Sequence, residues 1–285
     1  MTARNMMQER DSLMKRKRRR RMRALLACCC ALLLGLFLFS GWKVWSILHG
    51  YREAEQRYSA LSDSVVALPS APEELTADAP AQSDADGAAE QSAPRPRSPV
   101  TIEFDVLREL CGDIIGWLYL PDTVINYPVV QGPDNDFYLN RFLDGKPNVG
   151  GTLFADYLVP SDFSGRNTVI YGHNMRDGSM FALVDDYAEQ SFYEEHPVMY
   201  LNTPEQNYRL DIFSGFITDP ESFVYTTVFS SDEDYALFLS ALKAFSEIDC
   251  GVPVGIEDRV VTLSTCTYSG EDVRFVICAK LVEID

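Results

Sequence analysis

From residue 100 onward, short apolar runs alternate with clusters of turn-forming residues, and this pattern predicts a mainly β fold. Pro121-Asp122 and Asp144-Gly145-Lys146-Pro147 are two such clusters, in which proline or glycine interrupts regular structure. Eight or so short strands of this kind are typical of a β-barrel or a β-sandwich. The predicted strands are Gly116–Tyr119, Ile125–Val130, Gly151–Ala155, Thr168–Tyr171, Val198–Leu201, Asn207–Thr218, Val260–Cys266 and Val273–Val282.

Apolar residues at helical spacing interrupt the strands at three places. The clearest helix is predicted at Asp232–Glu247, where Ser231 is the expected N-cap and Asp234 follows three positions later. Shorter helices are predicted at Phe104–Cys111 and Met180–Asp186. The long helix carries an apolar stripe that indicates a face packed on a core rather than a cofactor site. The stripe consists of Tyr235, Phe238, Leu239, Leu242 and Phe245.

The chain before residue 100 follows a different pattern. Residues 24–46 are predicted to form a transmembrane anchor, because the first 19 of them carry no charge. A helix of that length spans nearly the ~30 Å of a hydrocarbon core. Residues 47–66 alternate apolar and polar side chains at helical spacing, which predicts a juxtamembrane helix. Residues 67–99 are rich in Pro, Ala, Ser and Asp and predict a disordered spacer, so a folded domain is expected at 100–285.

Charge divides the chain in the same region. Residues 1–23 form a basic segment of net charge +8, whereas the rest of the chain has a net charge of −25. Basic residues before an apolar segment favour a cytoplasmic N-terminus, so we expect a single-pass protein of the cell membrane with its domain outside the cell. A cleaved signal peptide is the alternative, although its apolar core is usually only about 7–15 residues long. The acidic domain argues against nucleic acid as a partner.

One thiol, one imidazole and one guanidinium stand out as candidate chemistry. Cys266 closes a predicted strand, and Arg274 begins the next. A hairpin centred on Gly270 would place these two residues directly opposite each other with Cβ atoms ~5 Å apart, whereas a slip of one residue would separate them. A neighbouring guanidinium lowers the pKa of a thiol and donates hydrogen bonds to an oxyanion.

His173 lies in a polar turn and is the candidate acid–base partner. Attack by Cys266 on an amide expels an amine, which needs a proton that an imidazolium supplies. The resulting thioester gives transpeptidation if an amine resolves it and hydrolysis if water does. The same three residues could also have purely structural roles, as a core cysteine, a loop histidine and an arginine at the edge of a strand. Three hypotheses therefore stand: a cysteine transpeptidase, a cysteine peptidase and a membrane-tethered β-barrel binding module without catalysis.

Metal and cofactor chemistry is not expected. The chain has three histidines and lacks the paired cysteine or histidine spacings of zinc sites. We therefore expect no metal and no cofactor.

The segment Thr262-Leu263-Ser264-Thr265-Cys266, followed by Arg274, resembles the signature of the sortases, and a serine two positions before the cysteine is typical of class B. The resemblance extends over about residues 100–285. Other segments similar to class B sortases are Ile115-Gly116-Trp117-Leu118, Tyr127-Pro128-Val129-Val130-Gln131-Gly132, Asp134-Asn135-Asp136-Phe137-Tyr138-Leu139 and Tyr171-Gly172-His173-Asn174-Met175.

This resemblance implies an eight-stranded β-barrel with peripheral helices and an N-terminal membrane anchor. It also implies a reaction: a secreted protein with a C-terminal sorting signal is cut after threonine, held as a thioester and transferred to an amine of the cell wall or of a peptidoglycan precursor. The signal would resemble Asn-Pro-x-Thr-Asn or a Pro-x-Thr variant. The implied catalytic residues are His173, Cys266 and Arg274, and the implied substrate-binding residues are Ser264, Tyr225, Asn135, Leu139 and Thr265.

Overall fold

The computed structural model describes residues 3–67, 96–266 and 272–285, and it describes Cys266 by its backbone. Most of the predicted spacer lies at 68–95, outside the described residues, as does the predicted turn around Gly270. The chain forms two compact units, Met1–Arg52 and Glu53–Asp285.

The N-terminal unit belongs to a long helix, α1, which spans Ala3–Val65. Within the described residues, the part of this helix at Cys28–Val65 contains one stretch that is long and apolar enough to cross a membrane. That stretch has no buried residues. A membrane anchor and a signal sequence both meet this test.

The end of α1 belongs to the second unit and packs on it. Ala54, Tyr58, Leu61 and Val65 recur at helical spacing, and all four are buried. This is the apolar face predicted for residues 47–66. The helix then continues into β1 (Val66–Ala67), which pairs with β2 (Thr101–Ile102) in a separate two-stranded sheet.

Eight strands close into a barrel, which confirms the predicted mainly β fold. Closure pairs both edges of every strand, so the barrel has no exposed sheet edge. The order around the barrel is β10-β8-β7-β3-β4-β5-β6-β9, with β9 paired to β10. Each of the eight predicted apolar runs is one of its strands. Their bounds are β3 Ile114–Tyr119, β4 Asn126–Val130, β5 Leu153–Ala155, β6 Asn167–Tyr171, β7 Val198–Asn202, β8 Asn207–Thr218, β9 Arg259–Cys266 and β10 Arg274–Ile284.

Two of the strand pairs are parallel, and one of them determines where the candidate residues meet. β6 runs parallel to β9, and β4 runs parallel to β5. All other neighbours in the barrel are antiparallel. Because β6 and β9 run in the same direction, both strands end at the same rim of the barrel.

The predicted peripheral helices are present, and the start of one helix and of one strand needs correction. α2 is Phe104–Leu110 and α3 is Gln190–Glu195. The helix predicted at Met180–Asp186 is present but starts later, as a 3₁₀ helix that spans Ala182–Ala188, because Met180 has a positive φ of 56°, which is incompatible with a right-handed helix. The strand predicted from Gly151 starts later, because the φ of Gly151 is also positive, 59°.

The longest peripheral helix, α4, spans Asp232–Phe245 and confirms its predicted start. The Ser231 hydroxyl accepts a hydrogen bond from the Asp234 backbone N–H at 3.1 Å, which satisfies one free donor of the first turn. Phe245, predicted in the apolar stripe, is the last residue of the helix and is 59% exposed, although its ring contacts those of Phe216 and Phe223. The other stripe residues are buried: Tyr235, Phe238, Leu239 and Leu242.

Candidate active site

A cleft of about 370 Å³ opens at the rim of the barrel where β6 and β9 end and β10 begins. Its lining includes every residue predicted for the site whose side chain the structure describes. The lining residues are Asn135, Leu139, Phe154, Tyr171, Gly172, His173, Pro220, Tyr225, Ser264, Thr265 and Arg274.

The register of the β9–β10 hairpin places Cys266 directly opposite Arg274. This confirms the predicted pairing and excludes the slip that would have put the two side chains on opposite faces. The Arg274 guanidinium is partly buried, and its Nη1 donates to the Val273 carbonyl at 3.2 Å. It lies 3.8 Å from the exposed Asp272 carboxylate. Opposed residues share a face of the sheet, so this register puts Arg274 and Cys266 on the same face.

The parallel pairing of β6 with β9 brings His173 to the same place, although 93 residues separate it from Cys266 along the chain. The N–H of Gly172 donates to the Ser264 carbonyl at 3.1 Å. The hydroxyl of Thr265 donates to the Gly172 carbonyl at 2.8 Å. Both main-chain groups of Gly172 are therefore bound to the strand that ends at Cys266. Thr265 is buried, and its hydroxyl holds the histidine turn.

Gly172 is required by the packing beneath this turn. A Cβ at that position would lie 2.5 Å from Leu153 Cδ2 and 2.7 Å from Phe181 Cγ. The aromatic ring atom has no freedom to withdraw, because Phe181 is completely buried. Any larger residue would therefore lift the turn that carries His173.

The imidazole of His173 is held by a main-chain acceptor. Its Nε2 lies 2.7 Å from the carbonyl oxygen of Leu139, in the 3₁₀ helix Tyr138–Asn140. A carbonyl oxygen only accepts hydrogen bonds, so Nε2 carries a proton in both the neutral and the charged ring. The proton that the ring gains or loses is consequently the one on Nδ1. Leu139 therefore contributes a backbone atom as well as a lining side chain.

Tyr225 and Ser264 lie together in the lining of the cleft. The Tyr225 hydroxyl lies 3.0 Å from Ser264 Oγ, and its ring stacks on Tyr171 with centroids 6.1 Å apart. Ser264 itself is only 2% exposed. Each hydroxyl oxygen carries two acceptor lone pairs, so this pair adds hydrogen-bonding groups to the lining of the cleft.

Asp156 ties two residues of the cleft together and was missed by sequence analysis, as was the structural role of Tyr171. One carboxylate oxygen of Asp156 accepts from Asn135 Nδ2 at 2.9 Å and from the Tyr171 hydroxyl at 3.2 Å. Burial, and then the nearby Asp156 charge, raise the pKa of Tyr171. The only sequence signal was indirect: Asp156 is the first polar residue after the apolar run of β5.

The other described cysteines of the domain differ from a reactive thiol. Burial raises the pKa of Cys250 to about 11 and that of Cys278 to about 12. Cys111 is buried. Among the described residues, no group of three or more His, Cys, Asp or Glu side chains is arranged to hold a metal ion.

Known proteins carry the same domain. A family model described as a sortase domain matches residues 118–282. This chain belongs to the sortase family. Sortase B of Listeria monocytogenes is 34% identical over 253 residues, which are 88% of this chain and 94% of that protein. The sortase is therefore of class B, as its signature residues predicted.

Solved structures agree with this assignment. A Staphylococcus aureus sortase B–substrate complex is 36% identical, with a TM-score of 0.61, and covers 64% of this sortase and 85% of that chain. A sortase B structure complexed with triglycine has the same identity and TM-score and covers 64% of this sortase and 86% of that chain. The predicted eight-stranded sortase barrel is thus confirmed.

Proposed function

We propose that this class B sortase cleaves a sorting signal after its threonine, holds the protein as a thioester on Cys266 and transfers it to an amine of the cell wall. Membership of the family supports a sortase transpeptidase. The observation that carries the residue assignment is the meeting of three chain segments at one rim: Cys266 lies opposite Arg274, and Gly172, the neighbour of His173, is hydrogen-bonded to the strand that ends at Cys266. Each of the three has a distinct task.

In the first half-reaction, which starts from the Cys266 thiolate and the His173 imidazolium, the sulfur attacks the threonine carbonyl carbon, and the carbonyl oxygen becomes an oxyanion. Arg274 stabilises that charge with guanidinium N–H groups, because it stays protonated throughout. The carbon–nitrogen bond then breaks. His173 gives the proton on Nδ1 to the leaving amine, and a thioester remains.

In the second half-reaction, an incoming amine attacks the thioester carbonyl. The His173 Nδ1, now a base, takes a proton from this amine, and the sulfur leaves as a thiolate beside Arg274. The product is a new amide, and the enzyme returns to its first state. The sortase B complex with triglycine supports a glycine-peptide amine as a model acceptor for this chain.

The substrate is a secreted protein with a C-terminal sorting signal, of the Asn-Pro-x-Thr-Asn type or a Pro-x-Thr variant. The S. aureus sortase B–substrate complex supports binding of such a peptide by this fold. The lining of the cleft offers the polar groups of Asn135, Tyr225 and Ser264 around apolar walls, as peptide recognition requires. The natural acceptor is the amine of a cell-wall peptide or a peptidoglycan precursor.

The same proposal covers the placement of the enzyme. The basic segment 1–23 stays in the cytoplasm, residues 24–46 anchor the chain, and the juxtamembrane helix and spacer (47–66 and 67–99) carry the catalytic domain, 100–285, outside the cell. The long apolar stretch of α1 and the charge asymmetry support this topology.

A single assay tests the reaction. The full chain in detergent micelles is incubated with a quenched Asn-Pro-Gln-Thr-Asn peptide and a panel of Pro-x-Thr variants, with and without triglycine, and the products are identified by mass spectrometry. We expect cleavage after threonine, a glycine-linked product, and an acyl adduct on Cys266 when triglycine is omitted. Cys250→Ala serves as the matched control and should behave like the wild type.

Three outcomes would contradict the proposal in different ways. Turnover by Cys266→Ala would remove Cys266 as the nucleophile. Release of free acid as the sole product in saturating triglycine would make the enzyme a peptidase. No cleavage of any peptide, with no adduct, would favour a binding module.

A further inference from the structure

Of the four buried side chains at the juxtamembrane end of α1, one carries a polar group. Tyr58 is 5% exposed, and its ring packs edge-on against Tyr127 and Phe142, with centroids 5.2 and 5.0 Å away. Its hydroxyl donates a hydrogen bond to the Gly151 carbonyl and lies 3.1 Å from Thr152 Oγ1. A docking helix needs only apolar contacts, so a buried phenol with directed polar partners calls for a further role.

The partners of Tyr58 support the backbone that holds His173. The N–H of Thr152 donates to the Tyr138 carbonyl at 3.0 Å. Gly151, which has a positive φ, packs against Leu139, the residue that follows Tyr138. A Cβ on Gly151 would overlap the Leu139 carbonyl oxygen. That oxygen accepts from His173 Nε2. Two residues therefore connect the phenol to the imidazole.

A second set of contacts reaches the other side of the histidine turn. The hydroxyl of Tyr127, the ring next to Tyr58, accepts from the Met180 N–H at 3.1 Å. The following N–H, that of Phe181, donates to the His173 carbonyl at 2.9 Å. Tyr58 thus contacts the residues that support His173 on two sides. Gly151 and Thr152 support the carbonyl that accepts from the imidazole, and Tyr127 supports the segment that binds the His173 main chain.

We propose that Tyr58 is a positioning residue for His173: its hydroxyl fixes Gly151 and Thr152, and these fix the Leu139 carbonyl that orients the imidazole. The proposal rests on the acid–base role proposed for His173. The acceptor keeps the Nε2 proton in place, and so it leaves Nδ1 as the nitrogen that exchanges protons with substrate. A mobile Leu139 carbonyl would let the ring rotate and change tautomer, which removes Nδ1 from its task.

The test uses Tyr58→Phe in the full chain in detergent micelles, because phenylalanine keeps the ring contacts and removes only the hydroxyl. Misplacement of a catalytic group by an ångström costs about 10²-fold in rate. We expect a loosened but still docked loop to lower kcat about 10-fold, within that limit. KM should stay unchanged, and the proton NMR signal of the His173 Nε2–H should weaken, because the Leu139 carbonyl would no longer hold that proton against exchange.

Two matched variants separate positioning from simple docking. Tyr51→Phe removes a hydroxyl from the same helix at a partly exposed position and should leave both kcat and the His173 Nε2–H signal unchanged. Leu61→Ala removes a buried apolar contact of the helix and should lower the Tm more than Tyr58→Phe does, with kcat largely kept at temperatures well below the Tm.

The outcomes also distinguish this inference from the proposed function. An unchanged kcat and Nε2–H signal in Tyr58→Phe, alongside an inactive His173→Ala, would overturn the role of Tyr58 and leave that of His173 intact. An equal loss of kcat in Leu61→Ala would reduce Tyr58 to general docking. Full activity of His173→Ala would overturn the proposed acid–base assignment itself.

Discussion

At the scale of single residues, main-chain atoms set much of the candidate site. Leu139 holds the imidazole through its carbonyl, and Gly172 binds the strand of Cys266 through its N–H and C=O. Such contacts leave no residue-specific mark on a sequence. The motif residues Cys266, His173 and Arg274 were identifiable because their side-chain chemistry is distinctive, whereas the carbonyl of Leu139 is chemically identical to every other carbonyl in the chain.

The thiols should differ sharply in reactivity at neutral pH. The raised pKa values of Cys250 and Cys278, about 11 and about 12, leave almost no thiolate on either side chain at pH 7. We therefore expect iodoacetamide to modify Cys266 first in the domain, because it lies opposite a guanidinium. Peptide mapping by mass spectrometry after a short reaction measures this order. Faster labelling of Cys250 than of Cys266 would contradict it.

Asp156 should affect substrate binding more than chemistry. Its carboxylate holds Asn135 and Tyr171, which line the cleft, so it acts on the wall of the cleft rather than on His173 or Arg274. Asp156→Asn replaces a double acceptor with an amide that donates at one end. We expect KM for the sorting peptide to rise about 10-fold, equivalent to ~1.4 kcal/mol, with kcat nearly unchanged.

Asp162→Asn is the control for that prediction. Asp156 accepts from the N–H of Leu158, two residues later, and Asp162 accepts from the N–H of Ser164 in the same way. Asp162 does not line the cleft. Its substitution should leave KM unchanged. A fall in kcat with constant KM in Asp156→Asn would assign Asp156 a part in the chemical step instead.

At the scale of elements, the strands were predictable and their partners were not. All eight runs were visible because each is bounded by turn residues, and the hairpin register followed from the spacing of Cys266 and Arg274. The parallel pair β6–β9 joins segments far apart in sequence, and periodicity carries no information about such pairing. The apolar face of residues 47–66 likewise predicted burial but not the surface that buries it.

The β6–β9 junction gives an element-scale prediction. Gly172→Ala forces a Cβ against Leu153 and the Phe181 ring, so the turn must shift from its position on β9. We expect kcat/KM to fall by about 10²-fold, because the imidazole moves relative to Cys266. The domain should still fold, with a lower Tm, which circular dichroism measures. Gly112→Ala is the control, since a Cβ there meets nothing within 4 Å. Equal kinetics in the two variants would contradict a tight junction.

At the scale of the whole molecule, buried phenols link stability to alkaline pH. Burial is the largest cause that raises the pKa of Tyr171, Tyr187 and Tyr235 above the ordinary value of 10.0. The unfolded chain therefore loses these protons at lower pH than the folded domain does. Their contribution is full below about pH 10 and is lost as pH rises from there toward the folded pKa values.

Denaturant unfolding at a series of pH values measures this dependence. The midpoint should be level from pH 8 to about 9.5 and fall steeply above about pH 10, where unfolding releases the phenolic protons. A midpoint that stays level above pH 10 would mean that the phenols titrate alike in the folded domain and in the unfolded chain, and it would contradict this prediction.

The order of the barrel strands along the chain also determines when an active enzyme exists. β9 and β10 follow the other barrel strands in sequence, yet the hairpin they form fits between β6 and β8. A nascent chain therefore emerges with the histidine first and the cysteine and arginine last. Non-local pairing of this kind forms slowly compared with local contacts. On the proposed topology, thioester chemistry begins only after export and barrel closure, so an incomplete chain cannot acylate itself inside the cell.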